Sequence, residues 1–241
     1  MENIIFCSSP FQVLVAKEVV QTVSEDFIGI YLKMSNDTRQ TFYAERMAEF
    51  CKEVLVLEGK TVFNDIQEAL KDRAISNLYL ASLDNPVALS VFNPSTMNLY
   101  TFDDGSTSVV PLNLYTQNLE RGIPYTNFTL REVMSLSNRH YTVFEDCILF
   151  PKEKQVFLKL HLEPSHFHRA KNGKKISVFL GQFLGSLLYQ EDLEITQKLT
   201  AKILDEQKID YYYPHPRVPL NPYQDKLKET RFCFEEEIYL L

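Results

Sequence analysis

Glycine and cysteine are both scarce in this sequence of 241 residues. Seven glycines are too few for repeated glycine-rich phosphate-binding loops, so each one is a candidate for a turn that requires it. The four cysteines, at positions 7, 51, 147 and 233, are far apart and form no Cys-x-x-Cys pair. This spacing argues against zinc ribbons and dithiol redox motifs. We expect reduced thiols that are mostly buried.

Long apolar runs and an excess of basic residues are missing as well. No stretch approaches the roughly 18 consecutive apolar residues of a membrane-spanning helix. The first residues, Met1 to Phe6, lack the basic and apolar regions of a signal peptide. Lys and Arg number 25 against 32 Asp and Glu, which gives a net charge of −7. Because binding to nucleic acid depends on clustered cations, we expect no nucleic-acid partner. Because a signal peptide and a membrane-spanning run are both missing, we expect a cytoplasmic protein.

The residues that are present indicate a globular α/β protein, with 45% apolar and 24% charged residues. Strands are predicted at Asn3 to Cys7, Phe27 to Leu32, Glu53 to Leu57, Asn77 to Ala81, Met97 to Phe102 and His140 to Leu149. Helices are predicted after Ser9, at Thr38 to Phe50, Val62 to Asp72 and Pro86 to Val91, near Tyr115 to Glu120, and at Leu130 to Leu136. Nearly apolar strands that alternate with helices indicate βαβ units and a parallel sheet covered on both faces.

A polar and basic segment, His166 to Lys175, interrupts this pattern. It predicts a linker at 166–175 between a first domain at 1–165 and a second domain at 176–241. The second domain has few predicted elements, namely strands at Ile176 to Leu180, Asp210 to Tyr213 and Phe232 to Leu241, and a helix at Glu191 to Glu206. We therefore expect this domain to be incomplete, because either the natural chain continues or this is a truncated form.

Ligands of open α/β sheets bind beyond the carboxyl ends of the strands, and reactive residues follow three predicted strands. The first segment is Ser8-Ser9-Pro10-Phe11-Gln12. Its backbone N–H groups, at the N-terminus of a helix, could face an anion or a sugar hydroxyl. The same residues could equally form an ordinary helix cap, with Ser as the N-cap and Pro in the first turn.

The second segment is Asp103-Asp104-Gly105, at the end of an apolar strand. One carboxylate could point into a cleft and accept the proton of an attacking hydroxyl. A plain Asp-Gly turn is an alternative interpretation. Two adjacent carboxylates could also hold a nucleotide-bound magnesium ion.

The third segment, Tyr211 to Arg217, places His215 between two prolines. A histidine there could donate a proton or a hydrogen bond to a departing phosphate, with Arg217 as a nearby cation. The other pair, His166 and His168, has no carboxylate or cysteine beside it, so a solvated linker is favoured over a metal site. The cations of Lys171 to Lys175 are likewise interpreted as a solvated connector.

These motifs, taken together, resemble the bacterial lipooligosaccharide sialyltransferases of glycosyltransferase family 52. The resemblance rests on Ser8-Ser9-Pro10-Phe11-Gln12, Asp103-Asp104-Gly105, Val178-Phe179-Leu180-Gly181-Gln182 and Tyr213-Pro214-His215-Pro216. Each motif is weak by itself. Their order, their separation and their positions after strands carry the resemblance, which spans nearly the whole chain.

The resemblance implies a GT-B-like architecture, in which two Rossmann-like parallel-sheet domains face a cleft. It implies inverting transfer of sialic acid from CMP-sialic acid to a terminal galactose-like sugar of lipooligosaccharide, without a metal or other cofactor. Asp104 would be the general base, and His215 would assist the departure of CMP. The substrates would also be bound by Ser8, Ser9, Pro10, Gln12, Asp103 and Gly105 of the first domain, and by Gly181, Gln182, Pro216 and Arg217 of the second.

Family members have further segments after the His-Pro motif, including hydroxyl residues that hold the CMP phosphate, and no equivalent run follows Arg217. Two alternatives stay open: a related transferase that uses another nucleotide sugar, and a non-catalytic glycan-binding protein. The expected partners are a nucleotide-sugar donor and a glycan acceptor. The family's acceptor is lipid-linked, which suggests a peripheral contact with the inner membrane, although a net negative charge does not favour anionic lipids. A homodimer is also left open.

Overall fold

The computed structural model describes residues 2–33, 38–111, 113–161, 177–181, 190–213 and 228–229. The chain divides into two compact units, Met1–His161 and Leu162–Leu241. The predicted linker at 166–175 and the strand predicted at Phe232 to Leu241 lie outside the described residues.

The first unit contains a seven-stranded sheet. Its strands are β1 (Glu2–Cys7), β2 (Phe27–Lys33), β3 (Glu53–Glu58), β4 (Ile75–Leu80), β5 (Asn98–Phe102), β6 (Ser137–Thr142) and β7 (Gln155–Phe157). Its helices are α1 (Pro10–Val23), α2 (Thr38–Met47), α3 (Val62–Leu70), α4 (Pro86–Ser90), α5 (Leu114–Gln117) and α6 (Leu130–Leu136). Short 3₁₀ turns lie at Ser106–Ser108 and Lys152–Lys154.

The sheet has the strand order β3-β2-β1-β4-β5-β6-β7, and every neighbouring pair is parallel. The predicted α/β class with a parallel sheet is therefore confirmed. The chain moves outward from β1 to β3 and then crosses back to β4 on the other side of β1. This reversal places the topological switch point of the sheet between β1 and β4.

Alternating side chains of the strands point to opposite faces of the sheet, and one face carries the main apolar core. Ile4 and Phe6 of β1 belong to this core. The same cluster contains Ile66 of α3, Ala88 of α4 and Val133 of α6. The other face is covered by α1 and α2, which contact each other and strands β1 to β3. Helices on both faces explain why the central strands β1 and β2 are nearly apolar.

The strand predicted at His140 to Leu149 is wrong at both ends. The observed strand begins at Ser137 and ends at Thr142. Residues after it form a loop, in which Cys147, Leu149 and Phe150 are buried. Their apolar character comes from packing of this loop into the core rather than from strand pairing. The following strand β7 has only three residues, too few to produce an alternating pattern.

Gly29 of β2 lies against α2, where a side chain has no room. A Cβ atom there would come within 2.8 Å of Met47 Cε and 3.0 Å of Cys51 Sγ. We expect Gly29→Ala to lower the free energy of unfolding by about 1–3 kcal/mol through overpacking, as measured by urea denaturation. Gly122→Ala is the matched control, because nothing lies within 4 Å of its added Cβ. Equal stability of the two variants would contradict this prediction.

The second unit contains a three-stranded parallel sheet in the order β10-β9-β8. Its elements are β8 (Val178–Leu180), α7 (Gln190–Glu206), β9 (Tyr211–Tyr213) and β10 (Lys228–Glu229). The strand-helix-strand order predicted from 176 to 213 is confirmed. Leu204 and Tyr212 are buried against Phe179 and Ile209. Among the described residues, no helix combines the length and the apolar character that crossing a membrane requires.

Candidate functional site

The carboxyl ends of β1, β4 and β5 lie side by side at the switch point of the first sheet. Each of these strands is followed by a polar side chain that takes part in one hydrogen-bonded group. Gln12 follows β1, Ser82 follows β4 and Asp104 follows β5. The strand order thus gathers residues that are distant in sequence at the edge where open α/β sheets bind ligands.

Asp104 is at the centre of this group. Its Oδ1 accepts a hydrogen bond from Gln12 Nε2 at 2.5 Å. Its Oδ2 accepts bonds from Ser82 Oγ at 2.8 Å and from Tyr115 Oη at 3.3 Å. The turn after it is made by Gly105, whose φ of 88° lies in a region that side chains disfavour. The predicted Asp-Gly turn is therefore present, and Asp104 is half-buried within it.

Gln12 is oriented by the turn that precedes α1. Its Oε1 accepts hydrogen bonds from the Ser8 backbone N–H at 2.6 Å and from Ser8 Oγ at 3.2 Å. Because an N–H can only donate, the Gln12 oxygen must face Ser8, and its NH₂ group must face Asp104. Ser9 caps α1 by accepting a bond from the Gln12 backbone N–H, and Pro10 is the first helical residue. The predicted helix cap is confirmed.

The pKa of Asp104 is raised above the usual aspartate value. Burial is the main cause, and the charge of Asp84 adds to it. Hydrogen bonds from Gln12, Ser82 and Tyr115 lower the pKa and offset burial only in part. Burial and the nearby Asp104 charge also raise the pKa of Tyr115, so its hydroxyl stays protonated and donates. A carboxylate with a raised pKa is a stronger base once it is ionised.

The neighbouring residue, Asp103, has a different environment, since its side chain is fully buried. Its Oδ1 accepts a bond from Ser108 Oγ and lies 3.2 Å from His140 Nε2. Its Oδ2 accepts a bond from the Val143 backbone N–H at 2.7 Å. In this arrangement Asp103 contacts protein groups, and its carboxylate shares none of these partners with Asp104. The two carboxylates thus offer no joint set of ligands for magnesium.

Within the part of the chain that the structure describes, three buried side chains lie close enough together to hold a metal ion. The ligand atoms of Asp103, His140 and Cys147 all lie within 4.8 Å of one another. However, Asp103 already accepts three hydrogen bonds, and the ring of His140 lies between Asp103 and the Thr101 hydroxyl. The pKa of the Cys147 thiol is lowered although burial opposes this, because His140 and backbone N–H groups bond its sulfur. Protein partners therefore satisfy this group.

The remaining predicted site residues belong to the second unit. Gly181 is buried directly after β8, and a Cβ atom there would overlap the hydroxyl of Tyr212. This glycine is therefore required by packing against β9. The other predicted residues, Gln182, His215, Pro216 and Arg217, lie outside the described residues.

Ser82 and Tyr115, which both bond Asp104, were not predicted from the sequence. Ser82 could have been found, because it follows the predicted strand that ends near Ala81, and this edge of the sheet was already the expected site. Tyr115 carries no such signal, since it lies in a short helix between two irregular segments. His140 was taken as part of a strand, and its contact with Asp103 depends on the pairing of β5 with β6.

Comparison with known proteins identifies the family of this chain. The sequence profile of glycosyltransferase family 52 matches residues 24–224. The CMP-N-acetylneuraminate:beta-galactoside alpha-2,3-sialyltransferase of Pasteurella multocida (strain Pm70) is 26% identical over 254 residues, covering 98% of this chain and 80% of that protein. The N-acetyllactosaminide alpha-2,3-sialyltransferase of Haemophilus influenzae (strain ATCC 51907 / DSM 11121 / KW20 / Rd) is 26% identical over 259 residues, covering 98% and 81%. Since the profile match extends over most of the sequence, the chain belongs to glycosyltransferase family 52.

Proposed function

We propose that this chain is a sialyltransferase that moves sialic acid from CMP-sialic acid to a terminal galactose-like sugar, with inversion at the transferred carbon. Family membership and two relatives with sialyltransferase names support this function. Both relatives are named alpha-2,3-sialyltransferases, so we infer the same linkage here. Lipooligosaccharide is the proposed acceptor, following the resemblance of the motifs.

The observation that carries the proposal is the environment of the Asp104 carboxylate. An ionised carboxylate offers about four acceptor positions, two on each oxygen. Ser82 and Tyr115 occupy both positions of Oδ2, while Gln12 occupies one position of Oδ1. Among the residues that the structure describes, no other donor reaches Oδ1, which leaves one position there for a further donor. An acceptor sugar hydroxyl bound there would be oriented for deprotonation as it attacks the donor.

The proposed reaction is a single displacement. The oxygen of the acceptor hydroxyl forms a bond to the anomeric carbon of sialic acid, and its proton passes to Asp104 Oδ1. The bond between that carbon and the phosphate oxygen breaks, and CMP leaves with the electron pair. Following the family resemblance, His215 donates a proton or a hydrogen bond to the departing phosphate. A base and an acid on opposite sides of the reacting carbon lower the barrier to both bond changes.

We propose further that the two units form a GT-B-like pair with the donor in the cleft between them. Ser8 and Gln12 would then contribute to the acceptor side, and Gly181, Gln182, Pro216 and Arg217 to the nucleotide side. Donor activation would rely on His215, Arg217 and backbone N–H groups rather than on a metal ion. For a lipid-linked acceptor we propose a location in the cytoplasm with a peripheral contact at the inner membrane.

A nucleotide screen tests this function directly. We expect CMP to raise the melting temperature of the intact chain, because a ligand that binds only the folded state stabilises it by RT ln(1 + [L]/Kd), about 2.7 kcal/mol at 100 times Kd. CDP, UDP and GDP should shift it less, and EDTA should leave the CMP shift unchanged.

Each other outcome of the screen has a defined meaning. A shift by UDP or GDP without one by CMP would favour a transferase for another nucleotide sugar. Absence of a shift with every nucleotide would favour a glycan-binding protein. Loss of the CMP shift in EDTA would contradict the metal-independent mechanism. Transfer is then assayed as release of CMP from CMP-sialic acid in the presence of a beta-galactoside.

A further inference from the structure

The Asp103 carboxylate joins the two ends of the short segment that carries Asp104. Asp103 precedes Asp104, and its Oδ1 accepts a hydrogen bond from Ser108 Oγ, at the end of the 3₁₀ turn. The backbone N–H of Asp103 also bonds the Tyr141 carbonyl at 3.2 Å. Asp104 and Gly105 therefore lie inside a short loop whose ends are joined through the Asp103 side chain.

The same carboxylate fastens this loop to β6 and to the residue that follows it. Its Oδ2 accepts a bond from the Val143 N–H, and its Oδ1 lies 3.2 Å from His140 Nε2. His140 is itself buried, with a relative exposure of 1%. Its ring stacks on Phe150 with centroids 4.3 Å apart, and its Nδ1 lies 3.0 Å from Thr101 Oγ1.

Both ring nitrogens of His140 face polar partners. Nδ1 faces the Thr101 hydroxyl, which can donate or accept and also lies 2.9 Å from Ser137 Oγ. Both of these hydroxyls lie within hydrogen-bonding reach of the Arg139 carbonyl, at 3.5 Å for Thr101 and 3.0 Å for Ser137. On the other side, Nε2 faces the Asp103 carboxylate, which accepts, so the donor on the ring is Nε2.

The electrostatic environment of His140 favours the protonated form of the ring. Burial by itself lowers the pKa of the ring, but hydrogen bonds with Asp103 and Cys147 and the charges of both groups outweigh burial, so the pKa is raised. A buried histidine bonded to a carboxylate is much harder to displace than an exposed pair, because separation would leave an unsatisfied carboxylate in the interior.

We propose that His140 is a positioning residue, which acts through Asp103 to hold the Asp104 carboxylate against Gln12 and Ser82. This inference rests on the proposed function, in which Asp104 is the base. It adds a buried pair, Asp103 and His140, and it gives Asp103 a positioning role in place of the substrate contact that the family resemblance implies. The pair would fix the direction of the one open position on Asp104 Oδ1 relative to the acceptor hydroxyl.

The test compares two substitutions of His140 in the full chain. His140→Leu removes the donor to Asp103, whereas His140→Gln keeps an N–H at a similar distance along the side chain. We expect His140→Leu to lower kcat for sialic acid transfer at least tenfold, with KM for donor and acceptor changed less than twofold. His140→Gln should recover most of the lost kcat. Leu70→Ala is the control, since Leu70 is the last residue of α3, which packs mainly against β3 and α4 rather than against β5 and β6.

A second measurement does not depend on activity. The side-chain NH₂ of Gln12 gives two ¹H–¹⁵N signals, identified by their loss in Gln12→Met. In His140→Leu these signals should move towards the positions of a free glutamine amide, because the bond to Asp104 is loosened. In His140→Gln and in Leu70→Ala they should stay close to those of the parent chain.

Either of two results would overturn the inference: full kcat in folded His140→Leu, or Gln12 signals that do not move in that variant. If His140→Leu fails to fold, His140→Asn replaces it. The Asn side chain is shorter than that of Gln and reaches Asp103 less closely. A kcat for His140→Asn equal to that of His140→Gln would therefore also overturn the inference. A parent chain that transfers no sialic acid would refute the proposed function, and the Gln12 signals would then decide the positioning role alone.

Discussion

Replacing Asp104 with Asn is expected to lower kcat for sialic acid transfer by about 10²–10⁴-fold, the usual contribution of general base catalysis. Asn has nearly the same shape and can still accept the bond from Gln12, but it cannot take a proton from the acceptor hydroxyl. CMP should therefore still bind, as measured by thermal shift, while release of CMP in the presence of acceptor is lost. An Asn variant with the full parent rate would show that another group is the base.

The same substitution should not weaken the fold. Because the folded-state pKa of Asp104 is raised, the native state binds its proton more tightly than the unfolded chain does. The stability of the parent chain therefore falls as pH rises from the ordinary aspartate pKa through the raised value, and the loss persists at pH 7. Asp104→Asn removes this loss. Its melting temperature at pH 7 should equal or exceed that of the parent, and a clear decrease would contradict this expectation.

The second large effect is expected from Gln12→Glu. The new carboxylate would replace the NH₂ group that lies 2.5 Å from Asp104 Oδ1. Two carboxylates at this separation cannot both ionise easily, so the pair should retain a proton at neutral pH. We expect kcat/KM at pH 7 to fall by about tenfold or more, since a pKa rise of one unit already costs about that factor below the pKa. Raising the pH should restore part of the activity.

A full pH profile separates charge from simple loss of a hydrogen bond. Gln12→Met is the matched control, because it removes the donor and adds no charge. The loss of the donor raises the pKa of Asp104, and an added like charge raises it further. The acidic limb of the kcat/KM profile should therefore lie at the highest pH in Gln12→Glu, at a lower pH in Gln12→Met and at the lowest pH in the parent chain. Coincident profiles for the two variants would show that a charge at position 12 does not change the pKa of the base.

Most elements of the first unit could be predicted from the sequence because they are local patterns. The apolar runs at β1 and β2 and the Ser-Pro start of α1 need no knowledge of the rest of the chain. The loop after β6 could not be distinguished from a strand, because Cys147 and Phe150 are apolar for reasons of tertiary packing. Local periodicity does not tell whether a buried residue pairs with a strand or fills a core.

The candidate site, like the fold, was predictable only where its signals are local in the sequence. Asp104 and Gly105 form a local signal, since a carboxylate followed by glycine after a strand marks a turn at the ligand-binding edge. Ser82 and Tyr115 enter the site through the strand order, which the sequence does not state. His140 reaches Asp103 only because β6 pairs with β5. The proposed base was thus visible in the sequence, while the residues that bond it and the residue that we propose positions it were not.

The site at the switch point has a consequence for folding. The bonds from Gln12 to Ser82 and Asp104 join residues that are 70 and 92 positions apart. They can form only after β1, β4 and β5 have assembled, and such non-local pairings form slowly because a long loop must be closed first. On refolding from urea, helical signal should therefore appear before catalytic competence. Enzymatic activity would report the assembly of β1, β4 and β5 with one another rather than the formation of any single segment.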